Sequence, residues 1–263
     1  MNNLSIITIT YNNFDELLKT YHSLSHFREC GGCHIIINGG ESVSHLISGC
    51  QLVEEQDYGI YDALNKGIAL VKTDYFMLIH SGDILDNTVK CLNDIITQMK
   101  SKNLDFALNN CTIDFANSKR LMTSNNWKSW MLRIGAQPPH PPTVYKTLST
   151  GSIQYDISIP IIADFNYFEQ LINANLRYDA LGFQLIHMTG GGATSSGLKS
   201  FLFVTKQFAD YKGWPLAIIF SITSCIQAGT PTTKPISHSG AFSTISSSLV
   251  SQSLTLAIFR PGL

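Results

Sequence analysis

Residues 56–83, QDYGIYDALNKGIALVKTDYFMLIHSGD, constrain the fold more than any other part of the chain. Residues 57–59 make a tight polar turn. Ile60, Ala63, Leu64, Gly67, Ile68 and Val71 then recur at helical spacing, which predicts an amphipathic helix over 60–71. Residues 75–79 (YFMLI) form a continuous apolar run of strand length. Such a run suits a strand buried on both faces, as in a parallel sheet covered by helices. It stops abruptly in His80, Ser81, Gly82 and Asp83. Open α/β sheets bind ligands outside the carboxyl ends of their strands, so a carboxylate delivered at this corner is a candidate ligand group.

The rest of the chain repeats the pattern. Residues 4–10 (LSIITIT), 34–37 (HIII) and 51–55 read as strands, and Phe14, Leu17, Leu18, Tyr21 and Leu24 predict a helix over 14–27. Asn87 is a fitting N-cap for a helix over 88–100. A strand follows at 104–109, and residues 112–115 and 120–123 flank a hairpin-like turn at 116–119. A helix over 162–173 and strands at 177–181 and 184–188 complete the reading. The fold class is α/β, a mostly parallel Rossmann-like sheet flanked by helices.

Length and charge narrow the function. A chain of 263 residues holds one large domain, or one domain with an appended region. The net charge of −1 carries no basic excess, so nucleic acid is not an expected partner. No signal peptide is expected, because SIITIT is short and lacks a basic flank. The longest apolar run, residues 214–225, is too short to span a bilayer. Cysteines at 30, 33, 50, 91, 111 and 225 are expected to be reduced. Cys30 and Cys33 frame a Gly-Gly pair, but they precede a strand instead of opening a helix, and no second ligand pair has zinc-site spacing. A plain turn is the expected reading.

IYDALNKGIA followed by a buried strand and SGD resembles the donor-binding half of bacterial family 2 glycosyltransferases of the GT-A fold, in the branch that builds O-antigen and other surface polysaccharides. QPPHPPTVYK at 137–146, IIADF at 161–165 and TGGGATSS at 189–196 resemble further segments of that family in the same order, so the resemblance covers about residues 4–196. It implies a GT-A sheet with an acceptor-side extension. It also implies a donor half over 1–110 and an acceptor and catalytic-base half over 111–196.

The resemblance also implies roles. Thr10 and Tyr11 begin the loop that approaches the nucleotide. Asn38 stands where the family usually has an aspartate against uracil; its amide carbonyl can accept from a base N–H, but without charge. Asp57 and Asn65 lie in donor-binding motifs. Lys66 either approaches the diphosphate or is a solvated helix residue. Asp83 is the expected ligand of Mn²⁺ or Mg²⁺, since a diphosphate-bridging cation takes hard oxygens and can complete its shell with phosphate and water. His187 is a weaker metal candidate, and Asp86 supports the site or charges a helix N-terminus. His140, caged by prolines, could contact phosphate, metal or an acceptor hydroxyl. Asp164 is the expected general base: an inverting displacement needs one carboxylate to take the acceptor proton. The glycines at 190–192 suit an anion-binding loop or a plain turn.

The expectation is an inverting, metal-dependent hexosyltransferase. It would use a nucleotide-diphosphate sugar, with UDP as the expected nucleotide, and an undecaprenyl-diphosphate-linked saccharide at the inner face of the cytoplasmic membrane. The Gln-x-x-Arg-Trp signature of processive relatives is absent, which implies one sugar per acceptor. A catalytically silent nucleotide-sugar binding module is the alternative, supported by Asn38 and by Ser81-Gly82-Asp83, which lacks the first carboxylate of the Asp-x-Asp triplet that many GT-A enzymes carry at this corner. A nucleotidyltransferase would need a glycine-rich basic loop after the first strand, and residues 11–14 offer none. Residues 197–228 suit amphipathic helices. Lysines beside apolar groups there fit peripheral membrane contact, and equally a helix pair on the core or a homodimer contact. Residues 229–263 are Ser/Thr-rich and expected to be poorly ordered.

Overall fold

The computed structural model describes residues 2–86, 89–115, 118–159, 161–189, 198–213 and 215–217. The apolar runs become the middle of one sheet. Strand β1 (Leu4–Thr10) is buried along its whole length. Helices α1 (Phe14–Ser23) and α2 (Ser25–Glu29) lead to β2 (Cys33–Asn38) and then to β3 (Gln51–Glu54). Helix α3 (Ile60–Ala69) carries the chain back to β4 (Tyr75–His80), on the other side of β1. Strand order therefore reverses at β1, the point where a doubly wound sheet opens a crevice.

The sheet is completed by β5 (Ile84–Leu85), β6 (Phe106–Phe115), β7 (Ser118–Met122), β8 (Val144–Lys146) and β9 (Tyr178–Thr189). Helices α4 (Val89–Ser101), α5 (Thr147–Thr150) and α6 (Ala163–Asn173) lie between them in sequence. Among the described residues the sheet has nine strands, in the order β3-β2-β1-β4-β8-β6-β9-β5, with β7 paired to β6. Strands β1 to β4 pair in parallel, as do β6 and β9, while β5, β7 and β8 run antiparallel to their neighbours. The mostly parallel α/β sheet is as expected, and it continues without interruption across residue 110.

Side chains alternate across β4 and set what each face can hold. Tyr75, Met77 and Ile79 join a core with Leu4, Ile6, Leu24, Leu92, Ile95 and Met99. Burying each large aliphatic side chain contributes about 1.5–3 kcal/mol. Phe76, Leu78 and His80 take the opposite face, where Phe76 stacks on Tyr145 with ring centroids 5.0 Å apart.

Several boundaries differ from the sequence reading. The expected 14–27 helix is two helices, broken at Leu24. The strands expected at 104–109 and 112–115 are one, because Asn109 and Asn110 are paired inside the fold. The Asn109 amide donates to Pro142 O at 3.0 Å, and the Asn110 amide donates to Gly182 O at 2.8 Å. The strands expected at 177–181 and 184–188 are also one. Gly182, at φ 72°, absorbs a register shift that would otherwise have ended it. The Cys30–Cys33 segment is a helix C-terminal turn, with Gly32 N–H donating to Phe27 O and Gly31 N–H to Arg28 O.

Residues 1–127 with 138–190 form one compact unit, which holds the whole sheet. A second unit is represented by a 3₁₀ helix at Ser129–Ile134 and by α7 (Leu198–Lys212). Among the described residues, no helix is long and apolar enough to cross a membrane. The Asn87 cap, the glycine segment at 190–196 and the Ser/Thr-rich tail lie outside the described residues.

Candidate active site

The crevice is built from the carboxyl ends of β1, β2 and β4. On its β2 side, Asn38 is fully buried and its amide serves the loop. Asn38 Oδ1 accepts from Gly40 N–H at 3.0 Å, and its Nδ2 donates to Glu41 O at 2.7 Å. Asn38 therefore shapes the turn, and its amide is spent on the loop backbone. Asp57 folds over Gly39: a Cβ built there would lie 2.0 Å from Asp57 Oδ2. Asn12 presses on Gly40 in the same way, with Oδ1 at 2.2 Å from the position of a Cβ, and accepts from Glu41 N–H at 2.7 Å. Thr10 is buried, with its hydroxyl making no hydrogen bond among the described residues, whereas Tyr11 is 66% exposed. These groups make a narrow cradle with one aromatic at its lip.

Gly39→Ala is expected to displace the Asp57 carboxylate from the cradle. The carboxylate is the free end of its side chain and shifts at little cost to folding, so the expected readout is a roughly tenfold loss of nucleotide affinity in titration calorimetry with unchanged fold stability. Unchanged affinity would remove Asp57 from the nucleotide contacts.

Two expected ligand contacts are used internally. Lys66 Nζ donates to Gln56 O at 2.7 Å and pairs with Glu55 at 3.1 Å and Asp62 at 3.3 Å. That arrangement favours the helix-surface reading over the diphosphate one. Asn65 is a two-way clamp. Its Nδ2 donates to Tyr155 O at 2.9 Å and its Oδ1 accepts from Tyr155 N–H at 2.8 Å. The clamp docks the 155 segment on α3.

Docking Tyr155 assembles the second wall. Its ring stacks on Tyr61 at 5.5 Å and on Tyr167 at 4.2 Å, and its hydroxyl hydrogen-bonds the buried His140 Nε2. Burial pushes the His140 imidazole down to about 4, so it is neutral at pH 7. The proline cage thus holds an uncharged imidazole against an aromatic ladder. Tyr61 Oη donates to Ile161 O at 2.7 Å, tying α3 to the segment before α6.

Asp164 stands in the first turn of α6, where its Oδ1 accepts from Phe165 N–H at 2.8 Å. Its charge acts on Tyr61, Tyr145, Tyr155 and His80. This places its carboxylate on the His80 face of β4. His80 itself is pushed down to about 4, by burial first and by His140 second, against the opposing pull of Asp164.

Asp83 meets His80 at its backbone. Its Oδ2 accepts from His80 N–H at 3.1 Å, and its charge reaches Cys111, a member of the core on the opposite sheet face. Burial pushes its carboxyl up to about 7. Asp83 Oδ1 makes no hydrogen bond among the described residues. A hard carboxylate oxygen without a protein partner, at a strand end and short of positive charge, fits a single contact to Mn²⁺ or Mg²⁺. His187, the weaker metal candidate, has its Nε2 2.8 Å from Asp86 Oδ2, which ties β9 to the segment after β5. Among the described residues, no three His, Cys, Asp or Glu side chains form a metal cluster.

The raised Asp83 carboxyl makes a stability prediction. A group whose folded pKa rises from 3.8 to about 7 favours folding below pH 3.8 and loses that advantage as pH rises through 7. Asp83→Asn removes the cost of the buried charge and is expected to stabilise the protein by about 4 kcal/mol at pH 8. Chemical denaturation checks this, and a destabilised variant would contradict it.

Sequence reasoning passed over His80, Tyr61 and Tyr155 as site residues. The period-2 pattern of β4 was the available signal for His80, because it puts residue 80 on the face opposite Ile79. Nothing in the sequence pairs Asn65 with Tyr155.

No family model matches the chain. Two uncharacterized glycosyltransferases of Mycobacterium tuberculosis, MT1564 and Rv1514c, are each 39% identical over 88 residues. The match spans 30% of this chain and about a third, 34%, of the length of those relatives. Among solved structures, S. aureus TarS 1–349 in complex with UDP has a TM-score of 0.58 at 13% identity, covering 82% of this chain and 69% of that one. The mannosyltransferase PcManGT of Pyrobaculum calidifontis, in complex with GDP-Man and Mn²⁺, has a TM-score of 0.52 at 11% identity, covering 98% and 81%. The chain shares the α/β fold of these proteins.

Proposed function

We propose that this protein is an inverting glycosyltransferase. It moves a hexose or N-acetylhexosamine from a nucleotide-diphosphate sugar, UDP-linked, to a saccharide, and forms a β linkage. The observation that carries the reading is that both carboxylates meet His80 at the carboxyl end of β4: Asp83 accepts from its backbone N–H at 3.1 Å, and the Asp164 charge acts on its imidazole. In-line displacement needs a leaving diphosphate and an attacking hydroxyl at opposite ends of one sugar. Asp164 takes the proton from the acceptor hydroxyl as its oxygen bonds to the anomeric carbon. The bond from that carbon to the diphosphate oxygen breaks, and the nucleoside diphosphate leaves with the electron pair. Mn²⁺ or Mg²⁺, held by Asp83 and the donor's own phosphate oxygens, would neutralise charge on the departing diphosphate.

The cradle of Asn12, Gly39, Gly40 and Asp57 is the nucleoside side of this site, and the Tyr61–Tyr155 wall with His140 is the acceptor side. GDP-Man and Mn²⁺ in the mannosyltransferase, and UDP in TarS, support a nucleotide-sugar donor and a divalent cation. The acceptor we propose is a lipid-diphosphate-linked saccharide of surface-polysaccharide synthesis, met at the inner face of the cytoplasmic membrane. The experiment is nucleotide release from a panel of UDP- and GDP-sugars, with lipid-diphosphate saccharides and Mn²⁺. Release that depends on acceptor supports transfer. Donor binding without release would support the silent binding module, which Asn38 and the lack of a carboxylate at Ser81 favour.

A further inference from the structure

We propose that His80 is a donor-specificity residue whose imidazole hydrogen-bonds a hydroxyl of the transferred sugar. The inference rests on the transferase reading above and goes beyond it by assigning a residue to the sugar itself.

Position comes first. His80 ends β4, pairs with Ile9 of β1, and takes the face opposite Ile79. Its backbone is held at both polar groups. His80 N–H donates to Asp83 Oδ2 at 3.1 Å, and His80 O accepts from Thr20 Oγ1 at 3.2 Å. The ring therefore has a fixed root. Among the described residues the ring makes no hydrogen bond, although it is only partly buried and stands within electrostatic reach of Asp164 and His140. Of the two groups that act on it, His140 is already engaged with Tyr155.

The proposed displacement then selects the ligand. The leaving diphosphate belongs on the Asp83 side and the attacking hydroxyl on the Asp164 side. What lies between them, beside residue 80, is the sugar ring. An imidazole both donates and accepts, and so matches a hydroxyl. A site built to bond a hydroxyl rejects an analogue that lacks or misplaces it, because its own polar group is then left unpaired.

The test uses the full chain, with UDP alone and with UDP-glucose, UDP-galactose, UDP-GlcNAc and UDP-GalNAc. Wild type is expected to prefer one sugar over its epimer. His80→Ala should bind UDP within twofold of wild type and lose at least tenfold of that sugar preference in kcat/KM. His80→Gln, which keeps a neutral donor and acceptor, should recover part of it. In wild type the His80 ring nitrogen resonance should shift with the preferred UDP-sugar beyond its shift with UDP, a readout that remains if His80→Ala does not fold. Unchanged preference in His80→Ala, or equal losses for UDP and UDP-sugar, overturns the assignment while the transferase reading stands. A wild type that binds none of these nucleotides overturns both.

Discussion

Asp164→Asn is expected to lower the rate of sugar transfer about 10²–10⁴-fold, the usual contribution of a positioned general base. UDP affinity should stay within twofold of wild type. The reasoning is local. Asparagine keeps the side-chain oxygen that accepts from Phe165 N–H, so the first turn of α6 is preserved. It removes the lone pair that takes the acceptor proton. The nucleoside cradle at Gly39, Gly40 and Asp57 lies on other elements and should not sense the change. Initial rates of UDP release and calorimetric titration on the same preparations separate the two effects. Transfer at the wild-type rate would remove the base assignment. Loss of UDP affinity with the rate would make Asp164 a binding residue instead.

The second large effect concerns stability. His34 is fully buried on β2, between Thr8 Oγ1 at 2.9 Å from Nε2 and Arg28 at 3.3 Å from Nδ1. Burial, followed by the nearby Arg28 charge, pushes its imidazole down to about 3. The folded pKa is depressed, so between pH 6.5 and 3 the unfolded chain binds a proton that the folded chain refuses. The stabilising contribution is full above pH 6.5 and is lost as pH falls through that window. It amounts to about 4–5 kcal/mol across the whole window, at 1.36 kcal/mol per unit. His34→Gln keeps an uncharged polar group between Thr8 and Arg28 but does not titrate. Its stability should fall less steeply with acidification, by about 1.4 kcal/mol per pH unit. Denaturant titrations at several pH values check this, and parallel slopes for wild type and variant would contradict it. Asp83 has the opposite sign over pH 3.8–7, so the comparison must be between variants and not along one curve.

The central sheet could be read from the sequence because its strands are continuous apolar runs, and such runs have few other uses. Strand β5 has two residues and therefore no period to detect. Strands β6 and β9 looked broken at Asn109, Asn110 and Gly182, residues that ordinarily mark turns. In the fold they answer one another, as the Asn110 amide bonds Gly182 O and its Oδ1 accepts from Ser124 N–H at 2.9 Å. Those partners lie 72 and 14 residues away, beyond any local pattern.

The site divides along the same line. Asp57, Asp83 and Asp164 stand at element ends, where local pattern and family resemblance both operate. Asn38, Asn65 and Lys66 occupy equally conspicuous positions, but their side chains are spent on loop and helix contacts that only the docked segments reveal. His80 became visible through the register of β4 with β1, and Tyr155 through its clamp on Asn65.

The most direct test of the central claim, a nucleotide-sugar crevice where the sheet reverses at β1, is a thermal-shift series on the full chain. Wild type and Gly39→Ala would be compared across UDP- and GDP-sugars, with and without Mn²⁺. A ligand at about 100 times its Kd stabilises the folded state by about 2.7 kcal/mol. The account predicts a rise of several degrees in the wild-type Tm with at least one nucleotide sugar, larger with Mn²⁺ and reduced in Gly39→Ala. A wild-type Tm that no nucleotide sugar moves, with or without the metal, would contradict it.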